Sequence, residues 1–356
     1  MLSAGNALRS IRNAAIAAAD ATGVSGLVAR SRWRTNRLLI LCYHGVSLAD
    51  EHRWHRDLFV TPAFLRRRFE IIRQVGCSVL PLGEAVLRLQ QGTLPKLSVA
   101  ITFDDGFYDF HAAALPVLRE FAIPAMIYVS TYHCQQQRPI LGLTVPYLLW
   151  KYSVQPGPNT RNLDASPPYG ALTHITDRKA AADALLAECR KLAPDRDAQM
   201  AWLAGLAGRL GVDWAALNRQ RLLHLMTSEE VADIARQGIT VALHTHRHRT
   251  PRNAQAFAEE ITTNQSIIQA LTGQISDDFC YPSGVVHPEF LGWERDLGIE
   301  TATTCIPGLA QPGCNPLLLP RFIDTMSQSE QQFTGWLTGV SQLVSRSRDV
   351  YADPAA

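Results

Sequence analysis

Short apolar runs alternate with amphipathic segments over two stretches of this 356-residue chain. The apolar runs have the length and β-branched character of buried strands, and the segments between them carry apolar residues at helical spacing. The predicted strands cover 37–46, 79–82, 97–103, 125–129, 239–243, 279–281, 301–304 and 317–322. Because strands that alternate with helices are typical of βαβ units, the pattern predicts an α/β fold with a parallel sheet.

Capping residues mark the start of two of the predicted helices. Thr61 precedes Pro62, which suits a first helical turn, and the amphipathic pattern continues to Val75. Thr227 and Glu230 have the spacing of a capping box, and the helix that they begin is predicted to reach Arg236.

The alternation stops between 131 and 225, where the chain is rich in Ala, Leu and Arg. Helical patterns at 175–191 and 198–211, separated from the preceding strand by a Pro- and Gly-rich loop at 155–170, predict a helical insertion at one end of the sheet. The predicted divisions are an N-terminal helical extension (1–36), the main domain (37–130 and 226–335), the insertion (131–225) and a polar C-terminal tail (336–356).

Charge and cysteine usage narrow the class of protein. The formal net charge is only +2, so no strong field favours nucleic acid. The seven cysteines are scattered without a CxxC pair, which indicates a reducing compartment. The Ala-rich start is weakly apolar and is interrupted by Asp20, unlike a signal peptide. We therefore expect a cytoplasmic protein whose first 37 residues form a helix packed on the domain or, alternatively, a peripheral contact with the inner membrane; the oligomeric state is left open.

Two of the predicted strands end in residues that bind metals. Asp104 and Asp105 follow the strand at 97–103, and His244, His246 and His248 follow the strand at 239–243. Two adjacent carboxylates repel unless a cation or an Arg lies nearby. One helical turn would place His244 and His248 on one face, and two His with one carboxylate form a common ligand set for a catalytic divalent metal. His246 is expected to point elsewhere, either to the surface or, alternatively, to a contact that supports a ligand or the substrate.

These residues carry a resemblance to a known family. Thr102-Phe103-Asp104-Asp105-Gly106 matches the first motif of the polysaccharide deacetylases, the NodB-homology carbohydrate esterases. His244-Thr245-x-x-His248 resembles the second motif, and Phe279-Cys280-Tyr281-Pro282-Ser283-Gly284 resembles the third. The resemblance implies a distorted (β/α) barrel of about seven strands, here with an inserted helical segment, and metal-dependent removal of acetyl groups from sugars.

The resemblance also implies roles for individual residues. Asp105, His244 and His248 would hold one divalent metal ion, for which Zn is the default and Co, Ni, Mn or Fe are alternatives. Asp104 would be the general base. The third motif, Tyr281-Pro282-Ser283, would contact the substrate, with the Ser283 N–H stabilising the oxyanion.

The chain departs from the family pattern at two positions. The third motif usually begins with an Arg that pairs with the base, but Cys280 stands there. Arg321, at the end of the strand predicted at 317–322, is predicted to replace that Arg, because a guanidinium can hold a carboxylate through two hydrogen bonds. The family's late Leu-x-His, which supplies a general acid, is absent. His44 is a candidate for the acid, and His246 and His287 are weaker candidates.

The sequence therefore predicts hydrolysis of an N-acetyl group on a sugar of a polysaccharide, oligosaccharide or glycolipid. One alternative is a deformylase or cyclic-amide hydrolase of the same superfamily that acts on a small molecule. Another is a non-catalytic glycan-binding protein, against which the intact Asp104, Asp105, His244 and His248 argue.

Overall fold

A computed structural model of the protein describes residues 4–154, 178–192 and 195–344. The loop predicted at 155–170 and the last part of the predicted tail, 345–356, lie outside the described residues.

The strands form one large sheet and one small parallel pair. They are β1 (Leu38–Tyr43), β2 (Gly45–Val46), β3 (Phe59–Val60), β4 (Ser78–Val79), β5 (Ser98–Phe103), β6 (Met126–Val129), β7 (Thr240–Leu243), β8 (Asp278–Cys280), β9 (Thr301–Thr303), β10 (Leu309–Ala310) and β11 (Phe322–Ile323).

Helices occupy most of the remaining described chain. They are α1 (Ala4–Ala21), α2 (Val24–Arg30), α3 (Arg32–Thr35), α4 (Glu51–Trp54), α5 (Pro62–Val75), α6 (Leu82–Gln91), α7 (Leu115–Glu120), α8 (Thr131–Gln136), α9 (Leu141–Val154), α10 (Arg178–Lys191), α11 (Arg196–Arg209), α12 (Trp214–Arg219), α13 (Ser228–Arg236), α14 (Ala254–Thr272), α15 (Phe290–Asp296), α16 (Glu330–Thr338) and α17 (Val340–Leu343). A π-helical turn (Phe110–Ala114) and 3₁₀ turns (Pro282–Gly284 and Pro316–Leu318) complete the set.

The large sheet is the curled parallel sheet of a distorted (β/α) barrel, as the sequence predicts. Its strands follow the order β10-β1-β5-β6-β7-β8-β9, and pairing is parallel except between β10 and β1. The segment 319–323 lies between the two ends of the parallel path, because Leu319 bridges Thr303 of β9 and β11 pairs with β1. All the carboxyl ends of the parallel strands therefore lie at one edge of the curled sheet.

The central strands are buried on both faces, which is why they read as continuous apolar runs. In β1, Leu39 and Leu41 belong to the main core beneath the helices, whereas Leu38 and Ile40 belong to a second cluster inside the curled sheet, to which α6 contributes Leu82, Ala85, Val86 and Leu89. Alternate residues of one strand thus serve two different cores.

The predicted helix starts agree with the structure. The Thr61 side chain accepts from the Phe64 N–H, and α5 begins at Pro62. The Thr227–Glu230 capping box is present at the start of α13.

Three expectations about local structure were wrong. Residues 316–318 form a 3₁₀ turn rather than a strand, since Asn315 caps the Leu317 N–H and Pro316 and Pro320 have no N–H for a ladder. The region expected as a polar tail begins with helical residues, of which Leu337 and Val340 are buried. The third, the helical turn after His244, is described with the site.

The N-terminal helices pack on the barrel near α16. Ile16 is buried, and the buried Arg34 donates from Nε to the Leu337 carbonyl (2.8 Å). None of the helices in the described part of the chain combines the length and apolarity needed to cross a bilayer.

The insertion lies at the edge where the parallel strands end. Its C-terminal end contacts the loop after β5, where Tyr108 N–H donates to the His224 carbonyl (2.9 Å), and directly after the insertion Met226 N–H donates to the Gly106 carbonyl (2.9 Å).

A buried acid links three elements near the end of β8. The Tyr281 hydroxyl lies 2.8 Å from Glu294 Oε2 and 2.9 Å from the Leu317 carbonyl. Burial, which outweighs the Tyr281 hydrogen bond, raises the pKa of Glu294 to about 8. At neutral pH the protonated Glu294 therefore donates to the Tyr281 oxygen, and Tyr281 donates to Leu317.

This proton should make stability depend on pH. Because the folded-state pKa of Glu294 lies above the ordinary value of 4.5, its contribution is complete at low pH and is lost as pH rises through about 8. Between pH 6.5 and 7.5 this group alone should lower the free energy of unfolding by up to about 1.4 kcal/mol per pH unit. Glu294→Gln should remove that slope in urea unfolding experiments, whereas Glu300→Gln, at an exposed position, should keep it. Equal slopes in wild type and Glu294→Gln would contradict the assignment.

Candidate metal and catalytic site

The residues predicted from the two motifs meet at the carboxyl ends of β5 and β7. His244 Nε2 lies 3.2 Å from Asp105 Oδ1, and His248 Nε2 lies 3.1 Å from the same oxygen. The ligand atoms of all three residues lie within 4.8 Å of one another. Asp105 is 18% exposed and His248 is 35% exposed, so the cluster opens to solvent.

His244 is held on three sides. Its N–H donates to Asn264 Oδ1 (2.9 Å), its carbonyl accepts from the Ser130 hydroxyl (2.8 Å), and its Nδ1 lies 2.8 Å from the Cys280 carbonyl. A carbonyl only accepts, so Nδ1 carries a proton and Nε2 is the ring nitrogen left to bind a cation. Nε2 of His244 faces Asp105.

This arrangement fits a divalent cation. Nε2 of His244 and the carboxylate of Asp105 face each other across 3.2 Å, and both atoms can donate an electron pair to one cation placed between them. Burial would raise the pKa of Asp105, but its close contacts with the His244 and His248 rings outweigh burial and hold that pKa well below its usual range. A ligating His whose other nitrogen donates to a carbonyl is the usual arrangement in metal sites.

Asp104 forms a buried ion pair beside this cluster, with a carboxylate oxygen within 4.8 Å of a His244 ring nitrogen. Arg321 Nη1 donates to Asp104 Oδ1 and Arg321 Nη2 donates to Asp104 Oδ2, both at 2.7 Å. The exposed fraction is 0% for Arg321 and 2% for Asp104. Burial favours the neutral acid, but the charge and hydrogen bonds of Arg321 outweigh it and keep the pKa of Asp104 well below its usual range.

Two thiols lie beside the ion pair. One of them, Cys280, stands at the position where the family resemblance implies an Arg. Cys280 Sγ lies 3.4 Å from Asp104 Oδ2 and 3.1 Å from Arg321 Nη2, and Cys42 Sγ lies 3.5 Å from Asp104 Oδ2. Burial raises the pKa of both thiols well above the usual value, so they remain neutral. The small Cys280 leaves room for the guanidinium that arrives from 321.

His44 follows β1 and borders the same carboxylate. Its Nε2 lies 3.8 Å from Asp104 Oδ2, and its side chain is partly exposed. The next residue must be Gly45, since a Cβ there would overlap the Phe59 ring. His44 is thus near the predicted base, at a distance too long for a direct hydrogen bond.

The third motif is divided between core and surface. Ser283 is exposed and has a left-handed backbone (φ 57°). Pro282 is buried, and the Tyr281 side chain is fully buried and bonded to Glu294. The side chain of Tyr281 therefore does not reach a substrate, contrary to the sequence-based expectation, because its hydroxyl belongs to the core network.

The turn after His244 is not helical. Thr245 and His248 both have left-handed backbones (φ 59° and 55°), and the segment between them has no regular structure. His246, expected at the surface, is buried, and its Nδ1 lies 3.0 Å from the Thr131 hydroxyl. Left-handed turns, rather than helical spacing, bring His248 to Asp105. His287 stacks edge-on against Phe290 and does not belong to the cluster that contains Asp105.

Sequence reasoning missed two polar residues on the buried face of α14. Asn264 holds the His244 N–H and also donates to the Val129 carbonyl (3.0 Å), and Glu260 accepts from the Arg247 N–H (2.7 Å). They share the buried stripe of Phe257, Ile261 and Ile268. Polar residues at apolar positions of a predicted helix are the signal that could have found them.

The sequence comparisons agree with the motifs. A family model described as "Polysaccharide deacetylase" matches residues 91–151 and 211–302. This match confirms the predicted resemblance to the polysaccharide deacetylases. The matched segments include Asp104, Asp105, His244 and His248 and leave out Arg321, His44 and most of the insertion.

A curated relative matches a smaller part of the chain. Poly-beta-1,6-N-acetyl-D-glucosamine N-deacetylase of Escherichia coli (strain K12) is 30% identical over 101 residues, which are 28% of this chain and 15% of that protein. The chain therefore spans about 15% of the length of the curated relatives that it matches.

Solved structures confirm the fold. The deacetylase PplD of Streptococcus pyogenes, in complex with acetate, superposes with a TM-score of 0.54 at 15% identity, over 87% of this chain and 99% of that one. IcaB from Ammonifex degensii gives a TM-score of 0.53 at 17% identity, over 85% and 97%.

The cluster predicts a specific loss of metal binding. His248→Ala removes one nitrogen ligand at a half-exposed position, so the fold should survive while the affinity for Zn²⁺ falls by roughly 100-fold or more. A competition titration with a chromogenic chelator would measure it, with His287→Ala as the matched control. Wild-type affinity in His248→Ala would exclude this residue as a ligand.

Proposed function

We propose that this chain is a metal-dependent deacetylase that hydrolyses the N-acetyl group of an N-acetylhexosamine in a polysaccharide, oligosaccharide or glycolipid. The observation that carries the proposal is the Asp105–His244–His248 cluster beside a carboxylate, Asp104, that Arg321 keeps ionised. The resemblance to polysaccharide deacetylases, and the name of the curated relative, support an N-acetylated glycan as the substrate.

In this proposal Asp105, His244 and His248 hold one divalent cation, most simply Zn²⁺, and Co, Ni, Mn and Fe suit the same ligands. Lewis acidity is the chemistry that such a cation supplies when bound, because it polarises a carbonyl and lowers the pKa of water. Asp104 is ionised, and its Oδ1, which accepts from Arg321 Nη1, has a second lone pair with which it can take a proton from the attacking water.

Two further groups complete the proposed site. The exposed Ser283 offers a backbone N–H in the turn after β8, which ends at Cys280, whose carbonyl holds His244, and an N–H there would stabilise an oxyanion. His44, 3.8 Å from Asp104, would return a proton to the leaving amine. His44 thus fills the role that the family gives to a later His.

We propose that the protein is in the cytoplasm, either free or at the face of the inner membrane, because cysteines stay as thiols in a reducing compartment. All seven cysteines are free thiols, including the two that contact Asp104.

The function is tested by acetate release from N-acetylglucosamine oligomers. Asp104→Asn keeps the shape but removes the proton acceptor, so kcat should fall by about 10²–10⁴-fold with Zn²⁺ content unchanged. Asp109→Asn is the matched control, since Asp109 is a buried carboxyl outside the candidate ligand groups and burial raises its pKa, which favours an uncharged side chain there. Absence of acetate release by the Zn²⁺-loaded wild type on any acetylated oligomer would refute the proposal.

The two hydrogen bonds from Arg321 to Asp104 should matter for activity as well as its positive charge. Arg321→Lys keeps a cation but can no longer hold both oxygens of Asp104, so the carboxylate should turn and kcat should fall by about 100-fold with unchanged metal content. Arg68→Lys weakens a second buried pair, with Asp324, neither partner of which belongs to the candidate ligand groups, and controls for lost stability. Equal kcat in the two variants would show that Asp104 is oriented by other groups.

A further inference from the structure

The two histidines of the second motif are held in different ways. His244 has hydrogen bonds from its N–H, its carbonyl and its ring. His248 ends an irregular loop, and its ring contacts within the described residues are Asp105 and the His244 ring (4.8 Å between centroids). The position of His248 therefore depends on what fixes the backbone between 245 and 248.

Glu260, on the buried face of α14, is bonded along that loop. Its Oε2 accepts from the Arg247 N–H (2.7 Å), and its carbonyl accepts from the His246 N–H (3.0 Å). Its Oε1 accepts from Arg247 Nη1 (3.1 Å) and from Arg249 Nε (2.7 Å). One residue thus receives two consecutive N–H groups of the loop and the side chains on either side of His248.

The charges explain why a carboxylate occupies this position. The Glu260 side chain is 1% exposed, whereas those of Arg247 and Arg249 are 46% and 59% exposed. A buried carboxylate needs partners, and two guanidinium groups reach inward to supply them. Because Arg247 and Arg249 flank His248, their ion pairs with Glu260 hold the backbone against α14 on both sides of this proposed ligand.

The backbone of the loop requires such an anchor. Thr245 and His248 both adopt left-handed conformations without being Gly. Such conformations persist in non-Gly residues only where the surrounding contacts impose them. The Thr245 hydroxyl accepts from the Arg249 N–H (3.0 Å), which closes the turn around His248.

We propose that Glu260 is a positioning residue for the metal centre, which acts through the 245–249 loop by holding His248 against Asp105. The inference rests on the proposed metal site. It goes beyond that site because Glu260, which is not itself a ligand, would set how tightly His248 binds the cation.

The test measures binding of Zn²⁺ alone to the full chain, without substrate. Glu260→Ala should weaken Zn²⁺ binding by about 10–100-fold, the range found when groups that orient a metal ligand are removed. Glu260→Gln keeps an oxygen that can accept from the Arg247 N–H but loses the ion pairs, so its Zn²⁺ affinity should lie between those of the wild type and Glu260→Ala. This variant carries the test if Glu260→Ala does not fold. Glu259→Ala, the exposed neighbour on α14, should bind as wild type does.

A double-mutant cycle separates positioning from general stability. If Glu260 acts through His248, removing Glu260 in a His248→Ala background should cost less than about twofold in affinity. A lower Tm of the metal-free protein with unchanged Zn²⁺ affinity, or equal losses in both backgrounds, would overturn the proposal. Zn²⁺ binding by the wild type without acetate release would refute the proposed function alone, and no Zn²⁺ binding by the wild type would refute both.

Discussion

The buried ion pair between Arg321 and Asp104 joins the fold to the candidate site. Arg321 comes from the segment 319–323, which lies between β9 and β1, and its Nε also donates to the Thr304 carbonyl (3.0 Å). Its guanidinium crosses the inside of the curled sheet to the end of β5. Because a buried charge is tolerable only when it is paired, the same contact secures the edges of the barrel and orients the carboxylate. Closure of the curled sheet therefore also sets the position of Asp104.

The rest of the site depends on one helix behind it. The strands place Asp104, Asp105 and the first histidine through their register, which the apolar cores fix. The backbone after His244 has no such register, and polar groups of α14 take over: Asn264 holds the end of β7, and Glu260 holds the loop. An apolar helix at this position would still pack on the sheet but would leave the N–H groups of His244 and Arg247 without their side-chain acceptors.

Sequence patterns reached the parts of the site that are encoded locally. Asp104-Asp105 and His244 each follow a continuous apolar run, so their place at a strand end is readable, and the need of Asp104 for a cation led to Arg321. The local structure before Arg321 could not be predicted from the sequence, because Pro316 and Pro320 turn an apolar run into a 3₁₀ turn. The path to His248 was also hidden, since left-handed Thr245 and His248 leave no mark in residue type, and a polar residue such as Glu260 reveals its role only when its neighbours are known.

The contact between Cys280 and Arg321 makes the effects of substitutions at the two positions interdependent. Arg321 Nη2 lies 3.1 Å from Cys280 Sγ, so a guanidinium from 280 and one from 321 would compete for the same carboxylate and the same space. Removing Arg321 while 280 is Cys leaves the buried Asp104 unpaired, whereas adding an Arg at 280 beside Arg321 buries two cations against one carboxylate. Each substitution is therefore harmful or tolerated according to the residue at the other position, which makes 280 and 321 a strongly epistatic pair.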